Sequence, residues 1–140
     1  VAFFLSYFFD RPEFVVNRFR WRSLPVEEFS TTRRPGGPLY GESRPVAVLV
    51  SRSSYSAAEE FAYDMQALRR GIIVGQKTPG AANHALPVQL LGGFTAFVPM
   101  ARAENPVTGT NWEGVGVTPD VAADPPTVEA ARQALLARVA

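Results

Sequence analysis

A strand–helix–strand pattern in the middle of the chain limits the fold more than any other feature. The run VAVLVS (Val46–Ser51) is apolar up to its last residue, as expected of a strand covered on both faces. The next apolar residues recur at the spacing of one helical face: Ala58, Phe61, Ala62, Met65 and Leu68. Gly71 ends this helix and IIVG begins a second buried strand. Because a crossover helix joins strands that run in the same direction, the pattern predicts a parallel βαβ unit in an α/β fold.

The remaining positions of this helix are polar, and we expect them to be exposed to solvent. The acids come early and the arginines late, which suits the helix dipole. These positions are Glu59, Glu60, Asp64, Gln66, Arg69 and Arg70.

Weaker patterns predict the flanking elements. Residues 2–9 read as a helix buried on all sides, and residues 14–22 read as a strand. Residues 23–45 read as a long irregular connection, because they contain Pro-Gly, Gly-Pro and Arg-Pro pairs. After the βαβ unit, two apolar runs around a Gly-Gly turn predict a strand pair. The last predicted helix covers residues 127–139, with a threonine as its N-cap.

Ser56 stands between the first strand of this unit and the helix, and two interpretations of it stay open. With Glu59 it forms the S-x-x-E pattern of a capping box, in which both side chains satisfy free N–H groups of the first turn. Ser56 also follows the end of a parallel strand, where α/β proteins bind ligands, and the helix N-terminus suits a developing oxyanion. The small Ala57 and Ala58 leave its approach open. A nucleophilic serine needs a general base, however, and this stretch contains none.

Composition excludes several classes of function. The absence of cysteine from the 140 residues excludes disulfides, thiol catalysis and thiolate metal sites. His84 is the only histidine, so neither a catalytic metal nor another cofactor is implied. The 14 basic and 13 acidic residues give a net charge of +1 without a basic run, which argues against nucleic acid as a partner. An apolar content of 46% fits one domain over residues 1–140.

Two longer stretches resemble a known family. They are SRSSYSAAEEFAYDMQALRRGIIVGQKTPGAAN, which begins at Ser51, and FTAFVPMARAENPVTGTNWEGVGVTPDV, which begins at Phe94. Both resemble the tail-specific, or C-terminal processing, serine protease family. The most similar branch includes the interphotoreceptor retinoid-binding protein modules and the tricorn-like core peptidases. The resemblance implies a ClpP/crotonase-like spiral of ββα units that is incomplete at its N-terminus, so that residues 1–140 form the C-terminal part of the catalytic domain.

The resemblance also implies roles for individual residues. The family's nucleophile is the serine three residues before the helix glutamate, which is Ser56, and the next backbone N–H, that of Ala57, contributes to the oxyanion hole. Bacterial processing proteases use as base a lysine that follows Thr-x-Gly, but here Thr78–Gly80 is not followed by lysine, and Lys77 precedes the motif. Tricorn-like members instead use an upstream histidine and a glutamate that matches Glu113. The chain is therefore expected to hold half of a site.

Three further residues are candidates for binding substrate: Asn83, His84 and Trp112. An imidazole could act as a base, but His84 lies in GAANHALP, where the resembling proteins usually carry small or polar residues. The resemblance therefore favours a loop or pocket-wall position for His84, with Asn83 lining the same cleft. Trp112 fits a core position better than a substrate anchor. For Glu113, a loop carboxylate that binds nearby amides is an equal alternative to a catalytic role. Asp120 in TPDV is predicted to form a turn that bonds its own backbone.

The first functional hypothesis is a serine-type peptidase that hydrolyses peptide or protein substrates through an acyl-enzyme and is inactive as this isolated chain. Its expected location is extracytoplasmic, either periplasmic or secreted. The alternative is a non-catalytic module that binds a retinoid, a fatty acid or a peptide. A third hypothesis is an assembly surface, because the core-like sequence VAFFLSYFF at the N-terminal edge would favour homodimers.

Overall fold

The computed structural model describes residues 1–11, 13–33 and 35–139, apart from the side chain of Val139. In chain order its elements are α1 (Ala2–Leu5), β1 (Val15–Trp21), β2 (Glu27–Ser30), β3 (Ala47–Val50), α2 (Ala57–Ala67), β4 (Ile72–Gly75), β5 (His84–Gln89), β6 (Thr95–Glu104), β7 (Val121–Ala122) and α3 (Val128–Val139). Short 3₁₀ turns follow α1 (Ser6–Phe8) and join β5 to β6 (Leu91–Gly93).

The predicted βαβ unit is confirmed. Strands β3 and β4 pair in parallel, and β7 joins the other side of β4, also in parallel. Alternate residues of β4 point to opposite faces of this sheet. Ile73 packs in one core cluster with Met65 of α2, whereas Ile72 and Val74 pack in a second cluster with Ala134 of α3. A helix therefore covers each face of the sheet, and the predicted α/β class is confirmed.

A second sheet is antiparallel, with the strand order β2-β1-β6-β5. Strands β5 and β6 are the predicted strand pair, and the C-terminal part of β6 pairs with β1. The prediction that residues 23–45 are irregular throughout is wrong, because β2 lies within them and pairs with β1. Its sequence EEFS has no strand-like apolar pattern. Pairing with the free edge of β1 forms the strand instead, and the ion pair of Arg18 with Glu28 at 2.8 Å supports it.

The composition of the N-terminal segment predicted a helix buried on all sides, and this prediction is wrong. The α-helix ends at Leu5, which is 0% exposed, whereas Phe3 and Phe4 are 59% and 56% exposed. Phe4 still packs against Phe61 of α2, with ring centroids 5.1 Å apart. Only one side of this short helix therefore contacts the core.

The polar face of α2 is also less exposed than predicted. Glu59 and Asp64 are both 0% exposed, while Ala58, predicted to be buried, is exposed. The loop after β4 covers Glu59, and Asn105, next to the end of β6, donates a hydrogen bond of 2.8 Å to Asp64 Oδ1. Helix α2 is thus buried against loops as well as against the sheet.

Asp120 joins the loop before β7 to β4 and α2. Its Oδ2 accepts a hydrogen bond of 2.7 Å from the Ile73 N–H, and its Oδ1 accepts one of 2.9 Å from Gln66 Nε2. The predicted turn in which Asp120 bonds its own backbone is therefore wrong, because long-range partners take both carboxylate oxygens.

Candidate active site

Ser56 occupies a strained turn at the start of α2. Its backbone has φ +54° and ψ −117°, a conformation that residues with a Cβ rarely adopt. An N-cap residue ordinarily lies in the β region, so capping alone does not require this geometry. Such backbone strain costs about 1–3 kcal/mol and is found at functional sites, where the surrounding structure imposes it. Ser56 is also exposed, as a nucleophile has to be.

The fully buried carboxylate of Glu59 holds this turn in place. Its Oε2 accepts hydrogen bonds from the N–H groups of Ser56 at 3.0 Å and Ala81 at 2.9 Å. Its Oε1 accepts from the Gly80 N–H at 2.7 Å and from the Thr78 hydroxyl at 2.5 Å. The Ser56 hydroxyl faces the Glu59 amide as in a capping box, but outside the limits of a hydrogen bond. Glu59 therefore ties the serine turn to the loop after β4, a role that the S-x-x-E pattern alone did not reveal.

Two glycines allow the loop after β4 and the loop before β7 to pack backbone against backbone. Gly116 has φ +72°, and a Cβ there would lie 2.0 Å from the Thr78 carbonyl oxygen. Gly80 has φ +97°, and a Cβ there would lie 2.6 Å from the Gly116 nitrogen. Thr78 Oγ1 also accepts a hydrogen bond of 2.7 Å from the Val117 N–H. The Thr-Pro-Gly and Gly-Val-Gly motifs thus form one support behind Ser56.

Ser56 borders a cavity of about 460 Å³ that lies between the start of α2 and the antiparallel sheet. Four other predicted site residues line the same cavity: Ala57, Asn83, His84 and Trp112. The lining is completed by three aromatic residues, three alanines and one acid: Phe19, Tyr55, Phe97, Ala81, Ala82, Ala85 and Glu60. The fold therefore brings together most of the residues that the sequence analysis selected.

Glu113 is not part of the cavity lining. Its Oε2 accepts hydrogen bonds from the backbone N–H groups of Ala82 at 2.7 Å and Asn83 at 2.8 Å. The carboxylate therefore supports the cavity wall from behind. This is the arrangement of a loop carboxylate that binds nearby amides, which the sequence analysis held open.

His84 and Trp112 are fixed by their neighbours. The His84 ring lies against Phe19 and Trp21, with ring centroids 5.4 and 5.5 Å apart. Trp112 is 2% exposed, and its indole N–H donates a hydrogen bond of 3.1 Å to the Ala81 carbonyl. His84 is therefore a wall residue, and Trp112 belongs to the core as much as to the cavity.

Two acids of α2 lie at or near the cavity: Glu60 lines it, and Asp64 is buried one turn further along the helix. Burial raises the pKa of Glu60, an effect that the nearby Asn17 amide opposes. Burial also raises the pKa of Asp64 to about 8, against the lowering effect of its bond from Asn105. Among the described residues, Asp64 Oδ2 and both polar atoms of the Asn17 side chain have no hydrogen-bond partner. The sequence analysis missed this polar cluster because it placed both acids on the exposed face of α2.

Lys77 lies away from this cavity, in a separate surface depression with Arg52 and Asp124. Within the ranges that the structure describes, no group of three or more His, Asp or Glu residues is arranged to hold a metal ion. None of the described helices combines the length and the apolar character needed to cross a membrane.

Comparison with known proteins places this site in a family. The family model "Peptidase family S41" matches residues 4–123. The chloroplastic C-terminal processing peptidase of Tetradesmus obliquus is 37% identical over 89 residues, which are 64% of this chain and 19% of that protein. The photosystem II D1 C-terminal processing protease superposes with a TM-score of 0.63 at 26% identity, over 96% of this chain and 34% of that one. The tricorn protease shares the fold at 17% identity, with a TM-score of 0.64 over 99% of this chain and 14% of that one.

The matched region contains the serine turn, the loop that Glu59 binds, and Glu113. The chain spans about a fifth of the length of the algal relative (19%) and about a third of the D1 processing protease (34%). These matches confirm the resemblance that the motifs indicated. The chain belongs to peptidase family S41.

Proposed function

We propose that this chain supplies the nucleophile of a serine-type peptidase. The proposal rests on the backbone of Ser56, a non-glycine residue that is held at positive φ and exposed beside a cavity. The Ser56 hydroxyl attacks the carbonyl carbon of the scissile peptide bond, and the amine leaves with a proton from the general acid–base group. Water then hydrolyses the resulting ester and restores the serine. Membership in peptidase family S41 supports this reaction.

The N-terminus of α2 is suited to stabilise the oxyanion of this reaction. Ala57 is the first residue of α2, and it is exposed and lines the cavity beside Ser56. The first N–H groups of a helix have no partner within the helix, and the helix dipole adds positive potential there. We assign the Ala57 N–H as one oxyanion donor. Its position next to the nucleophile in the chain fixes the spacing between donor and attacking oxygen.

The cavity wall opposite α2 positions the substrate in this proposal. Asn83, His84 and Trp112 bound the space into which the substrate enters. Glu113 acts through the backbone amides of Ala82 and Asn83, so we assign it as a positioning residue for that wall. Its removal would alter substrate fit more than the intrinsic reactivity of Ser56.

The general base is assigned to a residue outside residues 1–140. The bond from Ser56 to the Glu59 carboxylate uses the backbone N–H, and among the described residues no side chain forms a hydrogen bond with the Ser56 hydroxyl. Packing against two aromatic rings fixes His84, the one imidazole of the chain. An upstream histidine is the base that the tricorn-like resemblance implies. Residues 1–140 alone are therefore expected not to hydrolyse peptides.

We propose a peptide or protein substrate, which membership in peptidase family S41 supports, and an extracytoplasmic location. The alternative, a non-catalytic module for a retinoid or a fatty acid, is less favoured. The cavity contains the carboxyl group of Glu60, and burying an apolar ligand against a carboxyl group is unfavourable.

Digestion of a peptide library by the longest natural protein that contains this sequence tests the proposal. Mass spectrometry measures the rate of cleavage, and Ser56→Ala is expected to lower this rate by at least about 1,000-fold. Ser53→Ala is the matched control, because Ser53 is an exposed serine in the loop just before Ser56, and it should cleave like the wild type. Cleavage that survives in Ser56→Ala would refute the assignment.

A further inference from the structure

The cavity beside Ser56 has an acidic side that the proposed reaction does not use. Glu60 follows Ser56 by one helical turn and lines the same cavity. Glu60 lies in the first turn of α2, and its place in the cavity lining puts its carboxyl group on the Ser56 side of that helix. The proposed reaction assigns the oxyanion donor to Ala57 and the base to a residue outside residues 1–140, so it gives Glu60 no role.

Glu60 lacks a cationic partner within the described part of the cavity, because no lysine or arginine lines it there. Asn17 lies against Glu60 but forms no hydrogen bond of ordinary geometry, and it is 1% exposed with both polar atoms unpartnered. Asp64, fully buried one turn further along α2, adds an unpartnered carboxyl oxygen. Burial raises the pKa of both acids by more than the positive charge of the Val1 amino group lowers it. The site is therefore electrostatically incomplete.

The other walls suit a long side chain with a charged end. Phe19, Tyr55 and Phe97 line the cavity, and Phe97 is 74% exposed. Aromatic faces attract ammonium and guanidinium groups, and they also pack against the methylene groups of lysine and arginine. An aromatic wall next to an unpaired acid is a site for a basic side chain.

We propose that this cavity selects substrates that carry arginine or lysine next to the scissile bond, with Glu60 binding the cationic end. The proposal rests on the proposed peptidase function, because it places the substrate against Ser56. It adds the substrate class, which follows from the charge and shape of the cavity.

Equilibrium binding to the Ser56→Ala protein, in the longest natural form of the chain, tests the selectivity without turnover. The probes are two peptides, acetyl-Ala-Ala-Arg-Ala-Ala-amide and its citrulline counterpart, which keeps the shape of arginine but lacks its charge. We expect the arginine peptide to bind at least about tenfold more tightly at pH 8, a modest value for a charge-assisted pair in a partly dry site. Adding Glu60→Gln should reduce the preference to about twofold or less, while binding of the citrulline peptide stays unchanged and reports an intact fold.

Glu42→Gln in the same Ser56→Ala background is the matched control. Glu42 is a surface acid paired with Arg11 at 3.5 Å, so the arginine preference should survive this change. Equal binding of the two peptides, no binding of either, or a preference that persists in Glu60→Gln would overturn the proposal. Labelling of wild-type Ser56 by a fluorophosphonate does not depend on the substrate side chain. Labelling without an arginine preference therefore refutes the selectivity alone, and a preference without labelling refutes catalysis alone.

Discussion

Replacement of Glu59 by glutamine tests whether one buried carboxylate holds the nucleophile turn. The new side-chain amide can be oriented so that its NH₂ group takes the place of Glu59 Oε1. The Thr78 hydroxyl can then rotate and accept a hydrogen bond from that NH₂ group. The Gly80 N–H is then left facing a donor, and the bonds from Ser56 and Ala81 lose their charged acceptor. An unsatisfied buried donor costs about 1–3 kcal/mol, and each loss of charge assistance about 1 kcal/mol. Removing a buried charge offsets part of this, so we expect a net loss of about 2 kcal/mol in the free energy of unfolding.

Urea unfolding followed by tryptophan fluorescence measures this loss, because Trp112 is buried beside the loop that Glu59 binds. The rate at which a fluorophosphonate labels Ser56 measures the turn itself. We expect that rate to fall at least about tenfold in the longest natural protein, since a relaxed turn no longer presents the hydroxyl. Glu129→Gln is the control, because Glu129 lies exposed on α3 and binds only α3 side chains, those of Arg132 and Gln133. Its unfolding midpoint should match that of the wild type.

An unfolding free energy of Glu59→Gln within about 0.5 kcal/mol of the wild type would refute the reasoning, because surface substitutions commonly fall in that range. Unchanged labelling in a destabilised variant would refute it in a different way. Glu59 would then stabilise the fold without controlling the geometry of Ser56.

Three further predictions follow from strain, packing and charge. Gly116→Ala should lower the unfolding free energy by more than Gly114→Ala, because both have positive φ but only the Cβ at 116 would meet the Thr78 oxygen, at 2.0 Å; equal losses in urea titrations would contradict this. Ser56→Gly should melt at a higher temperature than Ser56→Ala, since glycine adopts φ +54° without strain; the reverse order would argue against strain. Burial raises the folded-state pKa of Asp64 from 3.8 to about 8, so its contribution to the free energy of unfolding is fully present only below pH 3.8 and is lost as the pH rises towards 8. Between pH 5 and pH 7.5, urea titrations should show the unfolding free energy of the wild type falling by at most a few kcal/mol, and that of Asp64→Asn falling by clearly less. Equal decreases would show that Asp64 is not the group responsible.

The spacing of apolar residues along the chain was sufficient to predict several helices and strands. The parallel βαβ unit, the strand pair of β5 and β6, and α3 with its Thr127 cap could all be predicted. Ser56 could also be placed correctly, because strand, turn and helix signals meet at it. These predictions need only the chain spacing of apolar residues and caps.

The remaining features depend on contacts that chain spacing does not encode. Glu59 is buried because three backbone N–H groups and one hydroxyl converge on it. Three of these four donors belong to Thr78, Gly80 and Ala81 in the next loop. Strand β2 forms because β1 has a free edge, and not because EEFS favours a strand. The positive φ of Ser56 also leaves no mark in composition, since serine is an ordinary N-cap residue.

Mass spectrometry of the fluorophosphonate adduct tests the central claim, that Ser56 is an activated nucleophile. It should be carried out on the longest natural protein that contains this sequence. The account predicts one adduct, located on the peptide that contains Ser56, and no adduct in a folded Ser56→Ala variant. A folded wild-type protein that forms no adduct, or one that forms it on another serine, would contradict the account and leave Ser56 as the cap of α2.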